Sequence, residues 1–219
     1  MVTKIKKRKP ITNADEFIAL PNRIVDYVRD NLRQVVNIAL ALTLIVGLIF
    51  LGQFWWQRRE AHVFLLYAQA ESLLKQGQQD KAVEVLHKVA DTHTKVAKFA
   101  ILRLANIYEQ DNKLDKAIVY YQDYIEKAGY KDLLSPLVLH ALSCDYLSLG
   151  KSKEAETALQ TIIKRWPNLP LTDWAYVNLG LLWEEKEPAK ALEMYQLAFK
   201  DKGNPLIPQW VELKIKTLQ

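Results

Sequence analysis

Residues 79–86 read QDKAVEVL, and three later segments repeat their pattern: LDKAIVYY at 114–121, SKEAETAL at 152–159 and PAKALEMY at 188–195. The shared alanine recurs at positions 82, 117, 155 and 191, at spacings of 35, 38 and 36 residues. Upstream of each alanine stands a small residue, followed three positions later by a large one. The pairs are Ala70 and Leu73, Ala105 and Tyr108, Ser143 and Tyr146, and Gly180 and Trp183. A fixed period of this length indicates a repeat architecture built from helix pairs.

The spacing has a mechanical meaning. A small residue on the first helix lets the alanine that opens the second helix approach closely, and no pair buries its apolar face alone, so neighbouring pairs must stack. The period resembles the tetratricopeptide repeat of about 34 residues. We therefore predict an all-α fold, a tetratricopeptide-type solenoid of about four helix pairs. The fourth pair has lost a residue in its turn, and the amphipathic segment 207–219 (IPQWVELKIKTLQ) is predicted to be a capping helix.

Other positions agree with this alignment. Gly77 and Gly150 stand where a left-handed cap would end two of the first helices. The second helices carry apolar residues at equivalent packing positions: Leu86 and Val89, Tyr121 and Tyr124, Leu159 and Ile162, and Tyr195 and Ala198.

The segment 35–56, VVNIALALTLIVGLIFLGQFWW, contains no Asp, Glu, Lys, Arg or Pro. A helix of this length covers the roughly 30 Å hydrocarbon core of a bilayer. The membrane interface is expected at the end of this segment, where Trp55 and Trp56 are its last residues and Arg58 and Arg59 come directly after it. The run is longer than the apolar part of a cleavable signal peptide and ends in large aromatic residues, which favours an uncleaved signal anchor. With no Pro or Gly between Trp56 and Gly77, the helix is predicted to continue into the first repeat and to hold the solenoid against the bilayer.

The formal net charge of +5 is distributed unevenly. Residues 1–34 hold eight basic and four acidic side chains, whereas residues 57–219 hold 22 and 21. The positive-inside rule then keeps the N-terminal tail in the cytoplasm. We predict a basic, amphipathic cytoplasmic tail at 1–34, with a short helix from Arg23, a transmembrane helix at 35–56 and a repeat domain at 57–219. In a Gram-negative bacterium that domain lies in the periplasm. A nearly neutral domain is a poor candidate for nucleic-acid binding.

No constellation of residues indicates an enzyme. The four histidines, at positions 62, 87, 93 and 140, give no pair on one helix face for a metal, and no Gly-rich phosphate loop is present. Cys144 is the only cysteine, so an internal disulfide is excluded, and a small buried apolar side chain is a better account of it than a reactive thiol. We predict no catalytic residue, metal, cofactor or small-molecule substrate.

Tetratricopeptide first helices line a concave groove, and counting from the opening alanines assigns its positions. They are Phe64, Tyr67, Glu71 and Leu74, then Phe99, Leu102, Asn106 and Glu109, then Leu137, His140, Cys144 and Leu147, then Trp174, Val177, Leu181 and Glu184. Carboxylate-clamp repeats need Lys and Arg at such positions, and this lining has none. The prediction is a largely apolar groove for a protein partner or an unfolded export client. Alternatively, some of these residues pack against neighbouring helices or lie beneath segment 207–219.

The layout resembles the YfgM-like family of bacterial inner-membrane proteins. The resemblance rests on DYVRDNLRQVV at 26–36, FWWQRREA at 54–61, AQAESLLKQG at 68–77 and the terminal ELKIKTLQ at 212–219. It implies an ancillary subunit beside the Sec translocon channel that pairs with a periplasmic folding factor and helps newly exported polypeptides. No catalytic residue is implied.

Three functions stay open from the sequence. The chain is a translocon accessory with chaperone-like binding, or a scaffold for another membrane machine such as cytochrome c maturation or envelope assembly, or a purely structural subunit. Tetratricopeptide repeats indicate protein binding and do not separate these functions.

Overall fold

The computed structural model describes residues 28–199 and 207–219, and in this part of the chain the regular structure is entirely helical. The helices are α1 Leu32–Lys75, α2 Gln79–Ala90, α3 Ala97–Gln110, α4 Leu114–Ala128, α5 Ser135–Ser148, α6 Ser152–Arg165, α7 Pro170–Trp183, α8 Pro188–Ala198 and α9 Gln209–Leu218. Most of the predicted tail, with the short helix expected from Arg23, lies outside the described residues.

The chain divides into two compact units, residues 1–58 and 59–219. Among the described residues of the first unit, α1 contributes an apolar stretch that is long enough to cross a membrane and has no buried residue. Its large side chains, such as Phe50 and Trp55, are exposed. An apolar helix left uncovered by protein needs another apolar medium, so this helix could serve as a membrane anchor or a signal sequence.

Helix α1 is continuous from Leu32 to Lys75, as the absence of Pro and Gly beyond Trp56 predicts. Nothing in its sequence interrupts the backbone hydrogen bonds after the apolar run, because the residues from Gln57 to Lys75 are mostly good helix formers. No break separates residues 56 and 64.

The second unit contains the predicted helix pairs: the end of α1 with α2, α3 with α4, α5 with α6, and α7 with α8. The four opening alanines have no exposed surface. One apolar core runs from Val63 through the successive pairs to Leu179. The predicted packing positions on the second helices, from Leu86 to Ala198, are all buried. The solenoid of four helix pairs is therefore confirmed.

The turns inside the pairs explain the residue that is missing before Ala191. Three of the first helices end on a residue with positive φ: Gly77 at 73°, Gly150 at 69° and, where glycine is missing, Asn112 at 57°. Asn tolerates this conformation better than most residues. Each of these turns closes by a hydrogen bond from the next backbone N–H to a carbonyl five residues earlier, such as Lys113 N to Tyr108 O at 2.8 Å. In the fourth pair Glu187 N donates to Trp183 O at 2.7 Å, so this turn is one residue shorter.

The end segment forms α9, which packs against α8. Ile207 and Val211 are buried in a second apolar cluster together with Val177, Ala191, Tyr195 and Ala198. The last helix pair is thus covered, as the amphipathic pattern predicts, because its apolar face would otherwise be left without a neighbour.

Candidate partner-binding groove

The first groove position of the first three pairs is held by Phe64, Phe99 and Leu137, here called the apolar row. Their side chains are 59%, 43% and 55% exposed. They occupy equivalent places on successive stacked helices, so they follow one another along the same face of the repeat unit. Large apolar side chains aligned in this way form an exposed apolar surface, and its use as a partner-binding groove stays a prediction.

The next groove position lies one turn further along each helix and is partly covered. Tyr67 and Leu102 are half-buried and pack against the core. His140 is half-buried as well, with Nε2 3.3 Å from Nδ2 of Asn178, and burial lowers the pKa of its imidazole. Leu74 and Leu147, near the ends of their helices, also pack partly against the core. These residues support the groove floor more than they present a free surface.

In the fourth pair the groove is occupied by the chain itself. Val177 is fully buried, so its predicted place in an open groove is wrong. Val177 and the half-buried Trp174 belong to the apolar cluster that Ile207 and Val211 complete. Leu181, by contrast, stays 45% exposed. The C-terminal segment therefore closes the groove around Val177 and leaves the first three pairs uncovered.

The polar groove positions are tied to specific partners. Glu71 forms an ion pair with Arg103, with Oε1 and Nε 2.9 Å apart. The hydroxyl of Tyr121 donates to Asn106 Oδ1 at 2.9 Å and to Glu109 Oε2 at 2.6 Å.

A hollow of about 620 Å³ opens at the groove positions Glu109 and Cys144 and at Ser148, beside the turn that joins α3 to α4. Asp145 also lines it and is only 3% exposed. We call this site the Asp145 hollow. Asp145 is not among the groove positions assigned by the repeat alignment, although it is the only Asp, Glu, Lys or Arg in α5. A single acidic residue in an otherwise uncharged helix was the sequence feature that could have identified Asp145 as a candidate site residue.

The family model for the tetratricopeptide repeat matches residues 67–131 and 140–205. The chain belongs to the tetratricopeptide repeat family. Comparison with curated proteins gave no match.

Solved tetratricopeptide-type structures share the fold. A tetratricopeptide repeat protein from Parabacteroides merdae ATCC 43184 is similar at 16% identity and a TM-score of 0.58, over 71% of this chain and 58% of that one, so the chain spans less than two thirds of that relative. MamA from Desulfovibrio magneticus RS-1 matches at 14% identity and a TM-score of 0.55, over 71% of this chain and 82% of that one. BtubC from P. vanneervenii matches at 16% identity and a TM-score of 0.56, over 73% of this chain and 72% of that one.

Two of the tetratricopeptide units contain the same kind of hydrogen bond, from a tyrosine of the second helix to a glutamate at the end of the first helix. Tyr121 in the second unit donates to Glu109, and Tyr195 in the fourth donates to Glu184 at 2.8 Å. Lys214 of α9 pairs with Glu184 as well. Burial and the adjacent carboxylate raise the pKa of both tyrosines, so their hydroxyls remain protonated donors.

The chemistry of this tetratricopeptide groove is that of binding. Burial raises the pKa of the Cys144 thiol, which keeps it protonated and poorly nucleophilic. In residues 28–199 and 207–219, no group of three or more His, Cys, Asp or Glu side chains is arranged to hold a metal ion. Tetratricopeptide repeats are protein-interaction modules, and several of the predicted groove positions in this one are apolar and exposed.

Proposed function

We propose that this protein is a membrane-anchored binding module whose groove holds extended apolar segments of other polypeptides. The apolar row of Phe64, Phe99 and Leu137 carries the proposal. These side chains lie on three successive first helices, where an extended chain running along the groove meets each in turn. Because no Lys or Arg stands at the groove positions, the groove is suited to apolar side chains and not to a terminal carboxylate.

The expected gain from such binding is substantial. Covering one large apolar side chain completely contributes about 1.5–3 kcal/mol, and three are available in the row. The cost of ordering a flexible segment offsets part of this gain, so binding is expected to be moderate and reversible. Reversible binding suits a protein that holds clients transiently.

The test uses the full chain in detergent micelles and a fluorescently labelled extended peptide of Leu, Ser and Gly. Phe64→Glu, Phe99→Glu and Leu137→Glu together are expected to weaken binding more than tenfold, since each change places a charge at an exposed apolar contact without altering the core. A matched control carries Val119→Glu, Leu133→Glu and Leu169→Glu, which are exposed apolar residues outside the first-helix row. Equal binding by the two triple variants would overturn the groove proposal.

We further propose that the apolar part of α1 crosses the inner membrane and places residues 57–219 in the periplasm. The length and exposure of the helix support a span. The excess of Lys and Arg in residues 1–34 supports a cytoplasmic N-terminus. Trp55 and Trp56, with Arg58 and Arg59, then lie at the periplasmic interface. Protease added to intact spheroplasts should degrade the repeat domain, and degradation only after the inner membrane is opened would overturn this orientation.

With that orientation, the layout supports an ancillary role at the Sec translocon, where the groove would receive newly exported polypeptides and a periplasmic folding factor. Purification from detergent-solubilised membranes should recover the Sec channel with the wild-type chain. Recovery of a haem-handling or envelope-assembly complex in its place would overturn the translocon role and favour a scaffold. A fixed stoichiometry with no client binding would indicate a structural subunit.

A further inference from the structure

The Asp145 hollow contains a carboxylate oxygen to which no group in residues 28–199 and 207–219 donates a hydrogen bond. Asp145 is almost fully buried, and no group in the described part of the chain donates a hydrogen bond to its Oδ2. The other two buried side-chain atoms without a hydrogen bond, Glu71 Oε1 and Arg103 Nε, contact each other as an ion pair at 2.9 Å. A buried carboxylate with no donor is unfavourable, so a ligand that brings a donor regains that energy on binding.

Glu109 supplies a second carboxylate to the same hollow. Its Oε2 accepts the hydroxyl of Tyr121, but within residues 28–199 and 207–219 no ion pair joins it to a cation. The other groove glutamates differ in this respect, because Glu71 pairs with Arg103 and Glu184 with Lys214. Glu109 and Asp145 are thus acidic groups that the described chain leaves without a counter-ion.

The lysines at the hollow are engaged elsewhere. Lys113 Nζ forms an ion pair with Asp111 at 2.9 Å. Lys116 Nζ lies 5.2 Å from the centre of the Tyr108 ring. Asp115, which also lines the hollow, is neutralised by an ion pair with a lysine outside it. Burial, and then the charge of Glu109, raise the pKa of Asp145 to about 6, in keeping with two carboxylates that share a hollow without a cation.

We propose that the Asp145 hollow binds one lysine or arginine side chain of the polypeptide segment held in the groove. This inference rests on the proposed function and adds to it a preference for apolar segments that carry an isolated basic residue. The volume of about 620 Å³ accommodates such a side chain. Glu109 and Cys144 are themselves groove positions, so the hollow opens where the segment passes. A bare metal ion fits less well, because no third ligand of the required kind completes a set among the described residues.

The experiment measures peptide binding to the full chain in detergent micelles by fluorescence anisotropy. The probes are Leu, Ser and Gly peptides of roughly 12 residues, which extend to about 40 Å. One arginine is moved stepwise along the peptide, and each peptide has a twin with citrulline, a neutral side chain of nearly the same shape. In the best register, arginine should strengthen binding to the wild type about tenfold over citrulline.

Two double variants separate the hollow from general electrostatics. Glu109→Gln with Asp145→Asn should abolish the preference for arginine, so that the arginine and citrulline peptides bind with equal affinity. Glu126→Gln with Glu193→Gln removes the same number of charges at exposed sites on second helices and should keep the preference. Glutamine at 109 still accepts the hydroxyl of Tyr121, and helical circular dichroism verifies that both variants fold.

The outcomes are distinct for the hollow and for the groove. If the wild type binds the arginine and citrulline peptides equally, and the apolar-row variant weakens both, the groove stands and the hollow proposal is overturned. If the preference survives Glu109→Gln with Asp145→Asn, the hollow proposal is overturned as well. If neither peptide binds, the proposed function fails and the inference fails with it.

Discussion

The backbone of Gly180 approaches the ring of Tyr195 so closely that no side chain fits between them. A Cβ atom added at Gly180 would lie 2.5 Å from Cε1 and 2.7 Å from Cδ1 of Tyr195. In the first three pairs the equivalent positions are held by Ala70 and Leu86, by Ala105 and Tyr121, and by Ser143 and Leu159. The fourth pair therefore combines the smallest residue with a large aromatic one.

Gly180→Ala is expected to destabilise the protein by about 1–3 kcal/mol, despite the better helix propensity of alanine, because the fully buried ring must move. Urea denaturation of the full chain in detergent, followed by circular dichroism at 222 nm, measures the change. Adding Tyr195→Leu should recover part of the loss, since leucine stands opposite alanine in the first pair. The comparison fails if the two changes are simply additive.

Asp132 joins three elements and should make stability depend on pH in the acid range. It pairs with Lys98 of α3, accepts the Tyr124 hydroxyl of α4 at 2.6 Å, and accepts the Leu134 N–H at 3.1 Å before α5. The hydrogen bonds from Lys98 and then Tyr124 lower the pKa of this carboxyl to about 2.

A depressed pKa means that this stabilisation is complete above the unfolded value near 4 and is lost as the pH falls through about 2. Asp132→Ala should therefore cost about 2 kcal/mol at pH 7, and less as the pH falls from about 4 towards 2. Urea midpoints of the wild type and the variant across this range measure the effect. A cost independent of pH would show that the carboxylate charge is not involved.

Asp145 should give the stability of the protein a pH dependence opposite in sign to that of Asp132. Its pKa is raised to about 6, so the folded protein retains a proton that the unfolded chain releases near pH 4. Stability then decreases as the pH rises between these values. Asp145→Asn is expected to be more stable than the wild type by about 1–2 kcal/mol at pH 7.5 and equally stable near pH 4. Asp123→Asn, which removes an exposed ion pair with Lys127, is a control that should change stability by less than about 0.5 kcal/mol.

The cover over the fourth pair should depend on Val211, which is fully buried against α8. Val211→Asp places a charge in that cluster and should release α9, exposing Trp174 and shifting tryptophan fluorescence to longer wavelength. Leu213→Asp, on the exposed side of the same helix, should leave the spectrum unchanged. Equal spectra for the two variants would contradict the role of α9 as a cap.

The predicted helix pairs and the long apolar helix were readable because they depend on local rules. The alanine period set the alignment of the pairs. The one-residue deletion before Ala191 was already visible, because the interval from Gly180 to Ala191 is one residue shorter than the interval from small residue to alanine in the other pairs. The apolar row followed from the same count, because equivalent positions of a repeat point in equivalent directions.

What the sequence alone determined is the succession of helix pairs, the apolar helix before them and the small residues at the crossings, since these follow from helical periodicity and from the size of neighbouring side chains. Only the tertiary structure decided that Val177 is covered, that Glu71 and Glu184 are neutralised, and that Asp145 is buried with no donor to its Oδ2 among the described residues. Those states depend on residues about thirty or more positions away, such as Val211, Arg103 and Lys214, and no local pattern specifies which distant side chain will arrive.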